Sequence, residues 1–276
     1  MNQSLASIFT YLSQCFGIDF PERRIPFFKN KIQERLRTLR LHNLDEYFRY
    51  IKASPEEPGV LLDILTVNYS TFFRNPLAFD YLFQKLLPAM MTEERRMLRV
   101  WSAGCAMGEE PYTVAIMISE IRRKLNLSTD VRIFGTDINP AVIEKALKGT
   151  YQEDQIKYLR YDLVRRFFQP HGDGYRLAPE IKEMVNFSPY DMMDPKTYVP
   201  PESVFGNFDL VLCRNLLIYF SKEKQEMIMD KLYRSLSSGG VLVLGEAETP
   251  TGPHVHKLKR KIPCCQIYVK SKGAHR

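Results

Sequence analysis

Apolar residues recur along this chain with two different periods, and the change of period divides it. Up to about residue 66 they return every three or four positions, the spacing of helices that bury one face. Leu5, Ile8, Tyr11 and Leu12 share a face that runs out near Gly17. Ile25, Phe28, Ile32, Leu36 and Leu39 make a longer stripe, which predicts a helix over about 22–40. Its regular part is expected to start at Pro26, because proline is tolerated in a first turn and not in a helix interior. Asp45 to Ala53 and Val60 to Val67 read as two more helices, separated by the turn-forming run Ser54-Pro-Glu-Glu-Pro-Gly59. Ala78 to Met90 is a further helix.

Beyond that point short apolar runs alternate with helical stretches. Leu98–Ala103, Val131–Asp137, a run ending at Ser188–Asp191, Phe208–Cys213 and Val241–Leu244 read as strands. Glu109 to about Leu125, Pro140–Leu147 and Lys222–Leu236 read as helices, the last closed by Gly239-Gly240. Such alternation predicts an α/β fold with a parallel sheet. Ile262–Lys270 alternates and is expected to be an antiparallel last strand. Residues from about 150 to 187 are more than a helix crossover needs. There His171-Gly-Asp-Gly174 marks a tight turn, Tyr175-Arg-Leu177 a return strand, and Met184–Phe187 the completion of a small β insertion. The expected domains are a helical one over 1–75 and the α/β one over 76–276.

Composition changes this picture little. A chain of 276 residues with 45% hydrophobic content is long enough for two domains and a real core. No apolar run approaches the roughly 18–20 residues of a membrane span, and no charged-then-apolar leader opens the chain. A cytoplasmic protein without membrane insertion is expected. Five cysteines, an odd number, fit a reducing compartment. Cys264-Cys265 is expected to lie in a strand, where neighbours point to opposite faces, and not to form a redox or metal pair. His254-x-His256 lacks further ligands, so no metal is expected.

Charge adds more. The net charge is +7, which suits nucleic acid, an anionic membrane surface or an acidic protein as partner. Between Glu22 and Arg40 seven Lys/Arg face two Glu. Arg24, Lys31 and Arg35 line one flank of the apolar stripe, and Lys29, Arg37 and Arg40 the other. A solvated helix face is the bland reading of that pattern; a docking surface is the other.

The chemistry concentrates where strands run into loops. After Leu98–Ala103 come Gly104, Ala106 and Gly108, and then a helix opening at Glu109 with Pro111 in its first turn. Small residues let backbone approach a ligand, and a helix N-terminus offers free N–H groups. Two acids at that terminus are unsuited to phosphate. They suit a cation, such as the amino group or sulfonium of S-adenosylmethionine, or else they simply complement the helix dipole. Asp137 ends the second strand, where an acid takes ribose hydroxyls in nucleotide folds. It is also placed to cap the next helix, but Asn139 serves that end better. Asn68-Tyr-Ser-Thr-Phe-Phe-Arg74 gathers groups able to hold a carboxylate, or is an N-cap with two core phenylalanines. Arg214-Asn215 follows the fourth strand. In an open parallel sheet these positions, with Asp191, reach one crevice at the strands' carboxyl ends.

In order, Asn-x-Ser-x-Phe-Phe-Arg74, Val100-Trp-Ser-Ala-Gly-Cys-Ala-x-Gly-Glu-Glu-Pro-Tyr-Thr113, Gly135-Thr-Asp-Ile138 and Cys213-Arg-Asn-Leu-Leu-Ile-Tyr-Phe220 resemble the CheR family, the chemotaxis-receptor protein-glutamate O-methyltransferases. The resemblance covers essentially the whole chain. It implies a class I (Rossmann-like) methyltransferase sheet and methyl transfer from S-adenosyl-L-methionine, leaving S-adenosyl-L-homocysteine, onto glutamate side chains of the cytoplasmic helices of chemoreceptors, with no metal, no nucleic acid and a monomeric enzyme. It implies that Asn68, Ser70 and Arg74 contact the methionine part or guard the methyl group. Glu110, and less directly Glu109, would hold the amino group and Asp137 the ribose. Asp191 and Met192 would face the adenine, Arg214 and Asn215 would close the pocket, and Tyr219 would lie near the methyl group. Arg74 and Tyr219 are thus the catalytic candidates.

The inserted hairpin corresponds to the family's β subdomain, with a turn shorter than in members that dock a receptor C-terminal peptide. A nucleic-acid methyltransferase would share the fold, and Ser188-Pro-Tyr190 is similar to its amino-methylating box, but it lacks one proline and precedes the fourth strand. A non-catalytic signalling module fits poorly with intact polar residues at every motif. A nicotinamide dehydrogenase fits poorly with Glu109-Glu110.

Overall fold

The computed structural model describes residues 3–20, 25–65, 70–92 and 97–271. They group into two units: the chain before residue 70 together with Tyr219–Glu223, and the remainder. No helix among the described residues is long and apolar enough to cross a membrane.

The first unit is built from α1 (Gln3–Phe16), α2 (Ile25–Leu39), α3 (Leu44–Ala53) and α4 (Glu57–Leu65). Its core takes in most of the two expected stripes, with Tyr11, Ile25 and Leu39 of those stripes only partly buried against it. Leu5, Ile8, Phe9 and Leu12 meet Phe28, Ile32 and Leu36, with Tyr47, Ile51, Leu61 and Leu65. Asn43 caps α3, its Oδ1 accepting from the Glu46 N–H at 2.9 Å. Arg24 and the expected helix start at Glu22 lie outside the described residues, as does Val67.

One expectation fails here. Helix α4 starts at Glu57, inside the run read as a turn. Pro58 falls in its first turn, where a missing N–H costs nothing, and Glu57 is drawn inward. The Glu57 carboxylate is 3% exposed. It receives Arg35 Nε at 2.9 Å and Nη2 at 2.7 Å, and the Tyr47 hydroxyl at 2.8 Å. Burial, and then this carboxylate, push the Tyr47 hydroxyl pKa far up.

The second unit opens with α5 (Pro76–Tyr81), which passes through a π-helical stretch, Leu82–Leu86, into α6 (Leu87–Met90). Then follow β1 (Met97–Ala103), α7 (Glu109–Leu125), β2 (Asp130–Asp137) and α8 (Pro140–Lys148). The insertion contains β3 (Thr150–Tyr151), α9 (Glu153–Ile156), α10 (Tyr161–Phe167), β4 (Phe168–His171), β5 (Gly174–Leu177) and α11 (Pro179–Lys182). β6 (Val185–Pro189), β7 (Phe208–Cys213), α12 (Lys222–Ser235), β8 (Leu236–Leu244), β9 (Leu258–Arg260) and β10 (Ile267–Lys270) complete it.

Seven strands form one sheet in the order β6-β2-β1-β7-β8-β10-β9. The first five are parallel; β10 runs antiparallel to β8, and β9 antiparallel to β10. The chain steps outward from β1 in one direction to β2 and β6, and in the other to β7 and β8. That reversal opens a crevice at the carboxyl ends of β1 and β7. Both strands are flanked on either side, and β7 is buried along its whole length, with Trp101 of β1 fully enclosed.

The small sheet differs from expectation. Its third strand is Thr150–Tyr151, too short to show a period, while Met184–Phe187 does not complete it. Val185–Pro189 instead pairs in parallel with Ile133–Asp137 as the edge of the large sheet. Gly239 and Gly240 lie inside β8 where the β7 register slips, and a Cβ on Gly240 would sit 2.8 Å from the Phe208 carbonyl oxygen. They make a bulge, not a helix stop. Cys264 and Cys265 fall in the turn between β9 and β10, the first exposed and the second buried. Strand β9 itself is too short to have been read from alternation.

Candidate active site

The loop after β1 is held open by backbone geometry. Gly104, Ala106 and Gly108 have φ of 73°, 48° and 88°, in the left-handed region that favours glycine. A Cβ on Gly108 would lie 3.0 Å from both the Ala146 Cβ and the Phe187 ring. The loop is tied to the end of β2. The N–H groups of Gly104 and Cys105 both donate to the Thr136 carbonyl, at 2.8 and 2.9 Å. The Ala106 N–H donates to Asp137 Oδ2 at 3.1 Å, and the Asn139 N–H to Oδ1 at 3.0 Å. Trp101 Nε1 donates to the Thr136 hydroxyl at 2.9 Å and Tyr151 to the Met107 carbonyl at 2.8 Å. Asn139 caps α8, its Oδ1 accepting from the Ala141 N–H at 3.0 Å, which leaves Asp137 at the strand end without that duty.

Glu109 and Glu110 stand side by side at the start of α7 in opposite surroundings. Glu110 accepts from the Ser102 hydroxyl at 2.8 Å and pairs with Arg214 Nη1 at 3.0 Å. Arg214 in turn donates from Nη2 to the Arg74 carbonyl and to Asn75 Oδ1, each at 2.7 Å, and its guanidinium lies 4.8 Å from the Phe79 ring centroid. A buried arginine so fixed joins the end of β7 to Arg74, Asn75 and α7 at once. Glu109 is fully buried. Gln155 Nε2 donates to its Oε1 at 2.8 Å, while Oε2 has no hydrogen-bond partner among the described residues. Burial raises its pKa to about 7, against the pull of its own N–H, Gln155 and Ser70.

The other expected site residues divide. Ser70, Arg74, Glu109, Glu110, Arg214 and Asn215 are connected through these contacts or their chain neighbours. Met192 is buried, and Asp191 is exposed with Oδ1 accepting from the Met193 N–H at 2.7 Å. Tyr219 groups with the helical unit, where its carbonyl accepts from the Asp19 N–H at 2.8 Å. Asn68 lies outside the described residues. Sequence reading passed over Asn75, Gln155 and Glu248. Glu248 receives the Asn215 N–H at 2.8 Å and the Gly245 N–H at 2.7 Å. Asn75 adjoins a motif already singled out; nothing local marked the other two. His254 pairs with Asp230 at 2.8 Å and stacks on Tyr233, and no cluster of metal-ligating side chains occurs among the described residues.

This donor set suits a cationic nucleoside. The loop carries no lysine or arginine to meet a phosphate, two acids begin α7, one with a buried oxygen that has no hydrogen-bond partner among the described residues, and an acid closes β2. A seven-stranded sheet in this order, five strands parallel and the last two antiparallel, with that set of acidic acceptors is that of a class I methyltransferase using S-adenosylmethionine. The CheR methyltransferase SAM-binding domain model matches residues 68–264, and the CheR methyltransferase all-alpha domain model matches residues 3–66. The chain belongs to the CheR methyltransferase family. Chemotaxis protein methyltransferases are among its relatives. That of Borreliella burgdorferi is 32% identical over 244 residues, covering 86% of this chain and 84% of the other. That of Listeria innocua is 34% identical over 211 residues, 75% of each chain. That of Vibrio parahaemolyticus is 33% identical over 245 residues, covering 87% and 86%.

Proposed function

We propose that this enzyme methylates glutamate side chains on the cytoplasmic helices of chemoreceptors. The observation that carries the reading is the convergence of Asp137, the Gly104–Gly108 loop and the Glu110–Arg214 pair at the carboxyl ends of β1, β2 and β7. When bound, S-adenosylmethionine supplies a methyl carbon made electrophilic by its sulfonium charge. Asp137 would hold the ribose, and Glu110 with Glu109 the amino group. Asn68 and Ser70 would meet the methionine part, Asp191 and Met192 the adenine, and Arg214 and Asn215 would close the pocket. Each carboxylate in this list accepts hydrogen bonds, and the ligand's ammonium group, ribose hydroxyls and adenine amino group are able to donate them.

The chain's part in the chemistry is positioning. A glutamate has a pKa of about 4.3 and reaches the site already ionised, so no side chain need act as a base. Arg74 would orient the incoming carboxylate through paired hydrogen bonds for in-line attack. The C–O bond forms as the C–S bond breaks, giving a methyl ester and S-adenosylhomocysteine. Phe79, buried against the Arg214 guanidinium, helps to exclude water; because the two opposite charges cancel as the methyl group moves, poor solvation of the reactants favours transfer. The helical unit, with exposed Lys29 and Arg37 on α2, would meet the acidic receptor helices.

Incubation with methyl-labelled donor and membranes of the source cell, followed by alkali, tests this. Base-labile methanol from a receptor-sized band is expected. Label that survives alkali, or appears only in nucleic acid, would overturn the reading.

A further inference from the structure

We infer that Glu248 is a positioning residue of the donor site, acting through Asn215; this rests on the placement of Asn215 at the donor pocket proposed above. Glu248 is 4% exposed and lies four residues beyond β8, while Asn215 lies two beyond β7. The two strands are parallel neighbours whose ends, Cys213 and Leu244, are in register. The carboxylate therefore bridges two loops that leave adjacent strands on the crevice side of the sheet.

The bridge is one oxygen wide. Glu248 Oε2 accepts both the Asn215 N–H at 2.8 Å and the Gly245 N–H at 2.7 Å. Asn215 has φ 60°, a left-handed conformation that costs energy unless its surroundings over-determine it. The chain before it is fixed by Arg214, whose guanidinium is bound by Glu110, the Arg74 carbonyl and Asn75. The chain at Asn215 is fixed by Glu248. Gly245 allows this approach. A Cβ there would lie 2.6 Å from Glu248 Oε2, 2.9 Å from the Asn215 nitrogen and 3.2 Å from Asn215 Nδ2. Nothing else described receives those two N–H groups, and a buried carboxylate is a costly way to receive them unless the position of the loop matters. The second oxygen, Oε1, is buried with no hydrogen-bond partner among the described residues. The backbone N–H groups of Leu217 and Ile218 also face this carboxylate, so Glu248 holds the chain from Asn215 to Ile218 against the Gly245 loop.

The role assigned is an acceptor's, not a charge's, and this makes it separable from a merely structural one. Glu248→Gln retains a carbonyl oxygen able to receive both N–H groups; Glu248→Ala does not. Calorimetric titration of S-adenosylhomocysteine into the full-length protein, well below each variant's unfolding midpoint, reads the difference. Glu248→Ala is expected to raise Kd at least tenfold, and Glu248→Gln less than threefold. Asn215→Ala is expected to raise Kd by itself and to cost no further binding in the Glu248→Ala background.

Unchanged Kd in Glu248→Ala, whatever its unfolding temperature, overturns the inference, as does a Glu248→Gln variant that binds as poorly as Glu248→Ala. Additive losses in the double variant also overturn it. Weakened binding in Asn215→Ala beside normal binding in Glu248→Ala condemns this inference alone. Normal binding in Asn215→Ala removes Asn215 from the donor pocket, and the underlying reading of that residue fails with it.

Discussion

Two adjacent carboxylates at the start of α7 show how surroundings divide labour between identical side chains. Glu110 is paired with Arg214, whereas Glu109 is sealed beside Gln155 with a pKa raised to about 7, chiefly by burial. A group raised from 4.5 to about 7 contributes stability fully below the unfolded value and loses it as pH rises through the folded one. Glu109 therefore costs the ligand-free protein about 2–3 kcal/mol between roughly pH 5 and 8. Glu109→Gln carries no such charge. Its stability relative to wild type should climb across that range in thermal unfolding, and parallel pH profiles would contradict the assignment. Arg74 supports a kinetic prediction at the same scale. Arg74→Ala should lower turnover about 100-fold or more while S-adenosylhomocysteine binding weakens less than about tenfold. Unchanged turnover in a receptor-methylation assay would remove it from the reaction.

At the scale of elements, α2 carries two kinds of positive charge that sequence alone does not separate. Lys29 and Arg37 are exposed, but Arg35 is a structural ion, bound in parallel by a Glu57 that is 3% exposed. Arg35→Glu should destabilise the helical unit by about 3–5 kcal/mol, because it leaves a buried carboxylate facing another. Lys29→Glu with Arg37→Glu should leave unfolding nearly unchanged and weaken co-sedimentation with receptor-bearing membranes. If the second pair sediments as wild type does, the face of α2 is solvated and no more.

The same helix shows what was legible. Phe28, Ile32 and Leu36 announced its buried side by period. The partner of Arg35 did not show, since Glu57 lies in a run of Ser, Pro, Glu and Gly that looks like a turn until its proline is placed in a first turn. Likewise β7 and β1 were plain as apolar runs. Val185–Pro189 was ambiguous because only the register with β2 assigns it to the large sheet. The two-residue β3 and three-residue β9 were too short for any period to mark.

For the whole molecule, the order of the strands decides where chemistry is possible. Loops that leave β1, β2, β7 and β8 on one side, with Arg74 ahead of α5, bring residues as distant in sequence as Glu110, Asp137, Arg214 and Glu248 into three hydrogen-bonded groups. Most of these residues stood out beforehand because each ends a strand or opens a helix in a recognisable motif. Glu248 and Gln155 did not, because their partners come from chain 33 and 46 residues away. The glycine loop is the narrowest part of this design. Gly108→Ala must force a Cβ into contacts of 3.0 Å at a φ of 88°, so it should both lower the unfolding midpoint and weaken nucleoside binding.

The most direct measurement is calorimetric titration of S-adenosylhomocysteine into the wild-type protein and into Asp137→Ala. The account predicts a saturable heat of binding in the first and at least a tenfold weaker affinity in the second. Equal affinities, or no heat in either, would contradict a donor seated at the ends of these strands.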